Sequence, residues 1–302
     1  MINGTTNVVG VIGDPIEHSL SPIMFNVAFK SLNLDYVYVP FNVKKENLHY
    51  AIAGAKALNI KGLNITIPHK KNVLNEIDKF DIMANLIGAV NTINFNNGKS
   101  KGYNTDCIGA VRAIEEVSNL KDKNVVIVGA GGAARAIAFQ IAISNVENLA
   151  MINRSEKKAE SLVYDMKTLL STDFKDDSKL DDTRIDFSHI DLNFQYGGIE
   201  SLYNYLKDAD ILIDTTPIGM YPNVDVEPIA TANEMHSDLI VNDIVYNPIE
   251  TCLLKEAKLA NATIISGIKM LLYQGVENFK IWTGLEAPVD LMEKALLDEI
   301  NK

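Results

Sequence analysis

Residues 124–142 read NVVIVGAGGAARAIAFQIA, and the fold of the chain follows from how this stretch must behave. Asn124 to Val128 reads as a strand whose last four residues, Val125 to Val128, are all β-branched, the composition of a strand buried on both faces. Gly129, Gly131 and Ala134 follow at the spacing G-x-G-x-x-A, and Ala136 to Ser144 is a helix-length run of small and apolar residues. Strand, glycine loop and helix in that order make a site where a dinucleotide's pyrophosphate is held. Gly129 permits the tight turn, Gly131 lets the backbone approach the anion, and Ala134 permits close helix–strand packing. Ala130, Gly132 and Ala133 complete the loop, and the helix N-terminus faces the anion. The alternative is a turn that merely packs tightly; the spacing and the flanking elements weigh against it.

The next strand ends Met151-Ile152-Asn153-Arg154-Ser155, at the distance where an NAD-binding fold carries an acid for the ribose 2′-hydroxyl. Here the chain has Arg154, followed by Lys157 and Lys158. Cations at a helix N-terminus oppose its dipole, so an anion held among them accounts for their presence. The 2′-phosphate of NADP is such an anion. A solvated helix start with incidental charge, partly offset by Glu156, is the bland reading. The residues favour NADP over NAD.

Working outward, strand-like runs alternate with amphipathic helical segments. Val8 to Ile12 reads as a buried strand and Ser21-Pro22 as helix N-cap and first-turn proline of a helix to about Leu32. Tyr36 to Phe41 reads as a strand, Glu46 to Leu58 as a helix, and Gly62 to Ile67 as a strand stopped by Pro68. Val90 to Phe95 and Lys99 to Tyr103 flank Asn96-Asn97-Gly98, the signal of a hairpin. After Asp106 come a helix from Ile108 to Val117, the glycine-loop unit, a strand from Leu149 to Ile152 and a helix from Lys157 to Leu170. Short strands at 211–213, 239–241 and 263–265 follow, with a helix from Thr251 to Ala260 and a helical tail from Met270 to Ile300 broken at Trp282-Thr283-Gly284. Such alternation implies an α/β fold on open, mostly parallel sheet. Residues 171–198 differ: seven aspartates and scattered apolar residues read as a peripheral insertion, with an extra hairpin around Ile185 to Phe194 and no part in the chemistry.

The chain has 302 residues, enough for two domains, and a net charge of −11. That charge argues against nucleic acid or an anionic membrane as partner. Cys107 and Cys252 are far apart and fit a reducing cytoplasm. The N-terminal residues lack a basic segment followed by an apolar one, so no signal peptide is expected, and no apolar run reaches membrane-spanning length. The five histidines form no HxH or HxxxH pair, so no metal site is expected.

The first half carries short polar motifs that folding alone does not explain: Ser19-Leu20-Ser21-Pro22, Asn64-Ile65-Thr66-Ile67-Pro68-His69-Lys70, Ala89-Val90-Asn91-Thr92 and Asn104-Thr105-Asp106. Lys70 follows a strand, and ligands in open α/β sheets bind outside the strands' C-terminal ends. Lys70 and Asp106 converging on one substrate can move a proton to or from its oxygen. Taken alone, the two read better as a surface salt bridge; Ser19, Ser21, Asn64, Thr66, Asn91 and Thr92 around them reverse that reading. Their company of hydroxyls and amides suits a polyhydroxylated ligand. His69 stands beside Lys70 and points inward or elsewhere with equal ease.

These motifs, in this order, resemble the shikimate dehydrogenase family over nearly the whole chain, residues 171–198 excepted. Thr216-Pro217-Ile218-Gly219-Met220, Asp243-Ile244-Val245-Tyr246-Asn247-Pro248 and Gly267-Ile268-Lys269-Met270-Leu271-Leu272-Tyr273-Gln274 complete the run. The resemblance implies reversible reduction of 3-dehydroshikimate to shikimate with NADPH, on the way to chorismate and the aromatic amino acids. It implies that Lys70 and Asp106 handle the proton at the C3 oxygen. Ser19, Ser21, Asn64, Thr66, Asn91, Asp106, Tyr246 and Gln274 would hold the substrate. Gly129, Ala130, Gly131, Gly132, Ala133, Asn153, Arg154, Ser155, Lys158 and Thr216 would hold NADP, with Ile244, Gly267 and Met270 beside the nicotinamide. It also implies the architecture: an α/β substrate domain (1–106), a Rossmann-like NADP domain (107–267) and C-terminal helices (268–302) returning to the first. A monomer or homodimer in the cytoplasm is expected. Asp214 stands where the family pattern leads one to expect asparagine. Two rivals remain on the sequence: a quinate/shikimate dehydrogenase, against which Ser21 and Arg154 count, and a non-enzymatic dinucleotide sensor, against which the presence of both Lys70 and Asp106 counts.

Overall fold

The computed structural model describes residues 2–172, 179–180, 187, 190 and 192–302. The chain forms two compact units: residues 1–105 with 274–302 and part of the segment 174–185, and residues 106–173 with 186–273.

In the first unit the elements are β1 (Asn7–Gly13), α1 (Ser21–Ser31), β2 (Tyr36–Asn42), α2 (Leu48–Ala57), β3 (Gly62–Ile65), β4 (Lys79–Phe80), α3 (Ile82–Ile87), β5 (Thr92–Asn96) and β6 (Lys99–Tyr103). They build a six-stranded sheet in the order β2-β1-β3-β5-β6-β4. β1 pairs in parallel with β2 and β3, and β5 runs antiparallel to both β3 and β6. The hairpin turns on Asn97 and Gly98, both at positive φ (49° and 74°), as a two-residue turn between right-twisted strands demands. Asparagines at positive φ also stop helices: Asn33 follows α1 and Asn59 follows α2. Ser21 and Pro22 are the first two residues of α1 rather than its cap, a place that falls to Leu20. The strand expected to reach Ile67 ends at Ile65, leaving Thr66 to Lys70 as a turn.

The second unit contains α4 (Asp106–Glu115), β7 (Asn124–Val128), α5 (Gly132–Ala142), β8 (Asn148–Asn153), α6 (Glu156–Leu170), β9 (Asn193–Gly198), α7 (Leu202–Leu206), β10 (Ile211–Asp214), β11 (Ile240–Asp243), α8 (Cys252–Leu259) and β12 (Thr263–Ile265). All six strands are parallel, in the order β9-β8-β7-β10-β11-β12. This is the doubly wound Rossmann order, reversing direction between β7 and β10. Runs such as Val125-Val126-Ile127-Val128 are buried throughout, because helices cover both faces of a parallel sheet. Leu202, Leu206, Leu253 and Leu254 pack against Val126, Val128, Leu212 and Val241 on one face.

The acidic stretch 171–198 is not a peripheral insertion throughout. Its last six residues are β9, paired in parallel with β8 from Asn193↔Asn148 to Gly198↔Asn153, and so form an edge strand of the sheet. Half of the hairpin expected around Ile185 to Phe194 falls outside the described residues; its C-terminal end, Asn193 and Phe194, belongs to β9. The segment's Lys179 carbonyl accepts from the Phe80 amide at 3.1 Å, and Leu180 bridges Phe80 in parallel beside β4. Deletion of the whole stretch would therefore remove sheet.

The tail forms α9 (Gly267–Thr283) and α10 (Val289–Ile300). From Gln274 onward it belongs to the first unit. Phe25, Phe29, Tyr38, Phe279 and Trp282 make an aromatic cluster, with Phe25 stacked on Tyr38 at 4.6 Å and Phe29 on Phe279 at 5.5 Å. The Trp282 indole sits over Gly62 of β3, and its Nε1 donates to the Ile93 carbonyl of neighbouring β5 at 3.1 Å. Only a residue without Cβ fits beneath it: a methyl on Gly62 would come within 1.9 Å of Nε1. Gly62→Ala is therefore expected to displace the indole and lower the unfolding free energy by about 1–3 kcal/mol, the cost of overpacking a filled core. Urea denaturation checks this; an unchanged midpoint would show that Trp282 does not seat the tail on β3.

Candidate active site

The first unit gathers the motif residues around the C-terminal ends of its parallel strands. Ser19 is half-buried in the β1–α1 loop, its amide bonded to the Ile16 carbonyl, and Ser21 is buried at the start of α1. Thr66 ends the β3 ladder by donating its amide to Ile12 at 3.0 Å. The turn that follows is closed by His69 N–H to the Thr66 carbonyl at 2.9 Å, and the Lys70 carbonyl accepts from Val90 at 2.8 Å. Lys70 is thus held half-buried by backbone bonds on both sides of the strand end. His69 has a different task. Its ring is fully buried, with Nε2 at 2.6 Å from the Val43 carbonyl, so it fastens the lysine turn to the segment after β2.

Behind these residues lies a continuous buried network. The Tyr38 hydroxyl donates to Asn64 Oδ1 at 2.7 Å, and Asn64 Nδ2 donates to Thr92 Oγ1 at 3.0 Å. Thr92 donates to Asn278 Oδ1 at 2.7 Å, and Asn278 Nδ2 donates to Gln274 Oε1 at 2.9 Å. A second branch runs from Asn91, whose Oδ1 accepts the Thr105 amide at 2.8 Å and whose Nδ2 donates to Thr105 Oγ1 at 3.0 Å. Thr105 in turn donates to the same Asn278 oxygen at 2.8 Å. Burial raises the Tyr38 phenol's pKa, only partly offset by a hydrogen bond from Ser21, so the phenol stays neutral and a donor. Asn64, Asn91 and Gln274 are therefore joined through Tyr38, Thr92, Thr105 and Asn278. Tyr38 and Asn278 escaped the sequence reading. Asn278 left one signal: an amide four residues after Gln274 on the same helical face. Tyr38 left none, since an aromatic in an alternating strand reads as core.

Asp106 is half-buried as the first residue of α4, directly after Thr105. The rest of the expected set lies in the second unit, at the C-terminal ends of its strands. Gly129 leaves β7 at φ 118°, with its amide on the Ile152 carbonyl at 2.8 Å, and a Cβ there would strike Thr215 Oγ1 at 2.2 Å. Gly131 caps α5, and at both Gly131 and Gly132 a Cβ would meet open space. Ala130 and Ala133 are half-buried beside them, and Ala134 is fully buried against the sheet. The first amides of α5 thus face outward without a side-chain cap, as an anion site requires.

One strand over, Asn153 ends β8 and donates to the Ser155 carbonyl at 3.0 Å, with Ser155 capping α6. Arg154, Lys157 and Lys158 are exposed there, and none has an ion-pair partner among the described residues. Arg135, by contrast, is tied to Asp165 at 3.0 Å. The glycine loop and the three cations fit a pyrophosphate and a further phosphate. Thr216 is half-buried after β10, Ile244 after β11, and Gly267 packs on the Ile244 carbonyl, 2.2 Å from where its Cβ would be. Met270 is half-buried on α9, and Tyr246 is exposed in the loop after β11. Tyr273 Oη hydrogen-bonds Glu116, which also pairs with Lys269 at 3.2 Å, so the start of α9 is pinned on either side of Met270 to the residue that follows α4. Among the described residues no cluster of ligands could hold a metal.

Asp214, the residue expected to be asparagine, is 1% exposed at the end of β10, and its register partner on β11 is Asp243, 0% exposed. Register partners on parallel strands project to the same face. Burial, then the neighbouring Asp243 charge, pushes the Asp214 carboxyl up to about 7. Burial pushes Asp243 up to about 6 against hydrogen bonds from Thr251 and Val245. Asp214 Oδ1 accepts the Thr216 amide at 2.8 Å, while Asp243 accepts Val245 N–H at 2.9 Å and the Thr251 hydroxyl at 2.6 Å. The pair therefore shapes both loops that carry Thr216 and Ile244.

Comparison with known proteins bears on what this arrangement does. Residues 11–93 match the family described as shikimate dehydrogenase substrate binding domain, residues 112–181 that of shikimate/quinate 5-dehydrogenase, and residues 267–297 that of shikimate 5′-dehydrogenase C-terminal domain. The chain is 57% identical over 296 residues to shikimate dehydrogenase (NADP+) of Methanobrevibacter smithii, covering 98% of each. A shikimate dehydrogenase crystallised with NADP+ is 50% identical, with a TM-score of 0.88 over 100% of this chain and 98% of that one. The enzyme of Listeria monocytogenes, crystallised with shikimate and NAD, is 34% identical, with a TM-score of 0.86 over 98% of each chain.

The buried acid pair sets a pH dependence. An unfolded aspartate ionises near 3.9, while Asp214 in the fold holds its proton to about 7. Between those values the folded state binds more protons than the unfolded one, so this contribution to stability falls as pH rises from about 4 to about 7. Asp214→Asn keeps the acceptor for Thr216 and removes the charge. It is expected to match the unmodified protein near pH 4 and exceed it by a few kcal/mol at pH 8. Denaturant unfolding at the two pH values checks this; a variant less stable at pH 8 would contradict it.

Proposed function

The chain belongs to the shikimate dehydrogenase family, and we propose that Lys70 and Asp106 carry the proton step of its reaction. It is an NADP-dependent oxidoreductase that reversibly reduces 3-dehydroshikimate to shikimate, a step of aromatic amino acid biosynthesis. NADPH, when bound, supplies the hydride that adds to C3. As it arrives the C3 oxygen gains negative charge. The Lys70 ammonium stabilises that charge and donates the proton that makes the hydroxyl. Asp106 accepts a hydrogen bond from the substrate and, in the reverse direction, shares in removing the proton.

Ser19, Ser21, Asn64, Thr66, Asn91, Tyr246 and Gln274 would hold the hydroxyls and the carboxylate. Gly129 to Ala133 would cradle the pyrophosphate. Asn153, Arg154, Ser155 and Lys158 would take the adenosine 2′-phosphate, with Thr216, Ile244, Gly267 and Met270 along the nicotinamide half. Residues 1–106 serve as substrate domain, 107–267 as NADP domain, and 268–302 as helices seated on the first. The protein works in the cytoplasm as a monomer or homodimer; the far-separated free thiols Cys107 and Cys252 support the reducing compartment. The observation that carries the reading is the buried network joining Asn64, Asn91 and Gln274, which ends at Thr105, the residue before Asp106.

Two kinetic outcomes follow. Lys70→Ala is expected to lower kcat by about 10²–10⁴ with a smaller change in KM for shikimate, the signature of a group acting in the transition state. Retention of near-full kcat with impaired binding would make Lys70 a clamp instead. Arg154→Ala is expected to raise KM for NADP about ten- to a hundredfold, the loss of a charge-assisted phosphate contact, while KM for NAD hardly moves. Equal effects on the two cofactors would remove Arg154 from the 2′-phosphate.

A further inference from the structure

Asn278 is fully buried, and its partners are two hydroxyls and one amide: Thr92, Thr105 and Gln274. The direction of these bonds follows from counting protons and comparing distances. A threonine hydroxyl has one proton to give. Thr92 Oγ1 already accepts from Asn64 Nδ2 and Thr105 Oγ1 from Asn91 Nδ2, each at 3.0 Å. Asn91 Oδ1, which also accepts the Thr105 amide at 2.8 Å, is the longer alternative for both hydroxyls, 3.0 Å from Thr92 Oγ1 and 3.2 Å from Thr105 Oγ1. The proton of each hydroxyl therefore goes to its shortest acceptor, Asn278 Oδ1, at 2.7 and 2.8 Å. With its oxygen fixed between two donors, Asn278 can turn only its NH₂ toward Gln274, and Gln274 can meet it only with Oε1, at 2.9 Å.

We propose that Asn278 is a positioning residue that locks the Gln274 amide so that Nε2, not Oε1, is offered to the substrate. Gln274 then reads acceptor oxygens, those of a carboxylate or a hydroxyl lone pair, and rejects a group that presents only donors. This rests on Gln274 being a substrate contact. The polarity is inherited along the chain of bonds from the neutral Tyr38 phenol through Asn64 and Thr92.

The test separates the two premises. Gln274→Ala comes first: a rise in KM for shikimate of about tenfold establishes the contact, and no rise would overturn the reading of Gln274 before any change at Asn278. Asn278→Asp then keeps the acceptor for both hydroxyls and loses the donor. Gln274 is expected to turn Nε2 inward and present Oε1, raising KM for shikimate at pH 8 by about tenfold or more, with KM for NADP unchanged. At low pH the new acid regains an O–H donor, so the ratio of variant to unmodified KM should fall back toward one. In the Gln274→Ala background the same change should add little. Should Asn278→Asp not fold, Asn278→Ala in the same two backgrounds carries the test: it should raise KM alone and add nothing once Gln274 is gone. Effects that multiply with those of Gln274→Ala, or an Asn278→Asp defect that is equal at both pH values, would overturn the proposal.

Discussion

The first unit depends on the cost of burying polar groups. Asn64, Asn91, Thr92, Thr105 and Asn278 are all under 9% exposed, and an unpaired donor or acceptor among them would cost about 1–3 kcal/mol. Each is therefore held to one geometry by its partners, and the geometry is shared, because Asn278 Oδ1 takes both threonines. The network ties together β2 (Tyr38), β3 (Asn64), the start of β5 (Thr92), the end of β6 (Thr105) and α9 (Gln274, Asn278). Hydrophobic packing alone would tolerate small slips between these elements; fully satisfied polar networks do not. Trp282 on Gly62 serves the same end one turn further along α9.

The second unit solves a different problem, the binding of anions by backbone. All six strands are parallel, so their C-terminal ends lie on one side, and the glycine loop, the cations after β8 and the loops after β10 and β11 gather there. No side chain caps α5, and no carboxylate neutralises Arg154, Lys157 or Lys158 among the described residues. The acid pair Asp214–Asp243 shows what such a site costs. Two carboxyls are kept out of water to bond the loop amides, and stability falls as they ionise.

The sequence made the second unit legible because its signals are local. Val125 to Val128, the spacing of Gly129, Gly131 and Ala134, and Arg154 in place of an acid each sit within a few residues of what they determine. The hairpin at Asn97-Gly98 was equally plain, since both residues tolerate positive φ. β9 was missed because an edge strand needs only one buried face, and a run of aspartates precedes it. Lys70 and Asp106 could be singled out only through the motifs around them. Asn278 and Tyr38 could not be singled out by motif, because their importance comes from partners far away in sequence: Thr92 is 186 residues from Asn278.

The most direct test is the position of the substrate. A crystal structure with shikimate bound should place Lys70 Nζ and an Asp106 carboxylate oxygen on the C3 hydroxyl. It should also place Gln274 Nε2 on another substrate oxygen, with Oε1 still bonded to Asn278. Shikimate held away from Lys70, or Gln274 turned with Oε1 toward the ligand, would contradict the account.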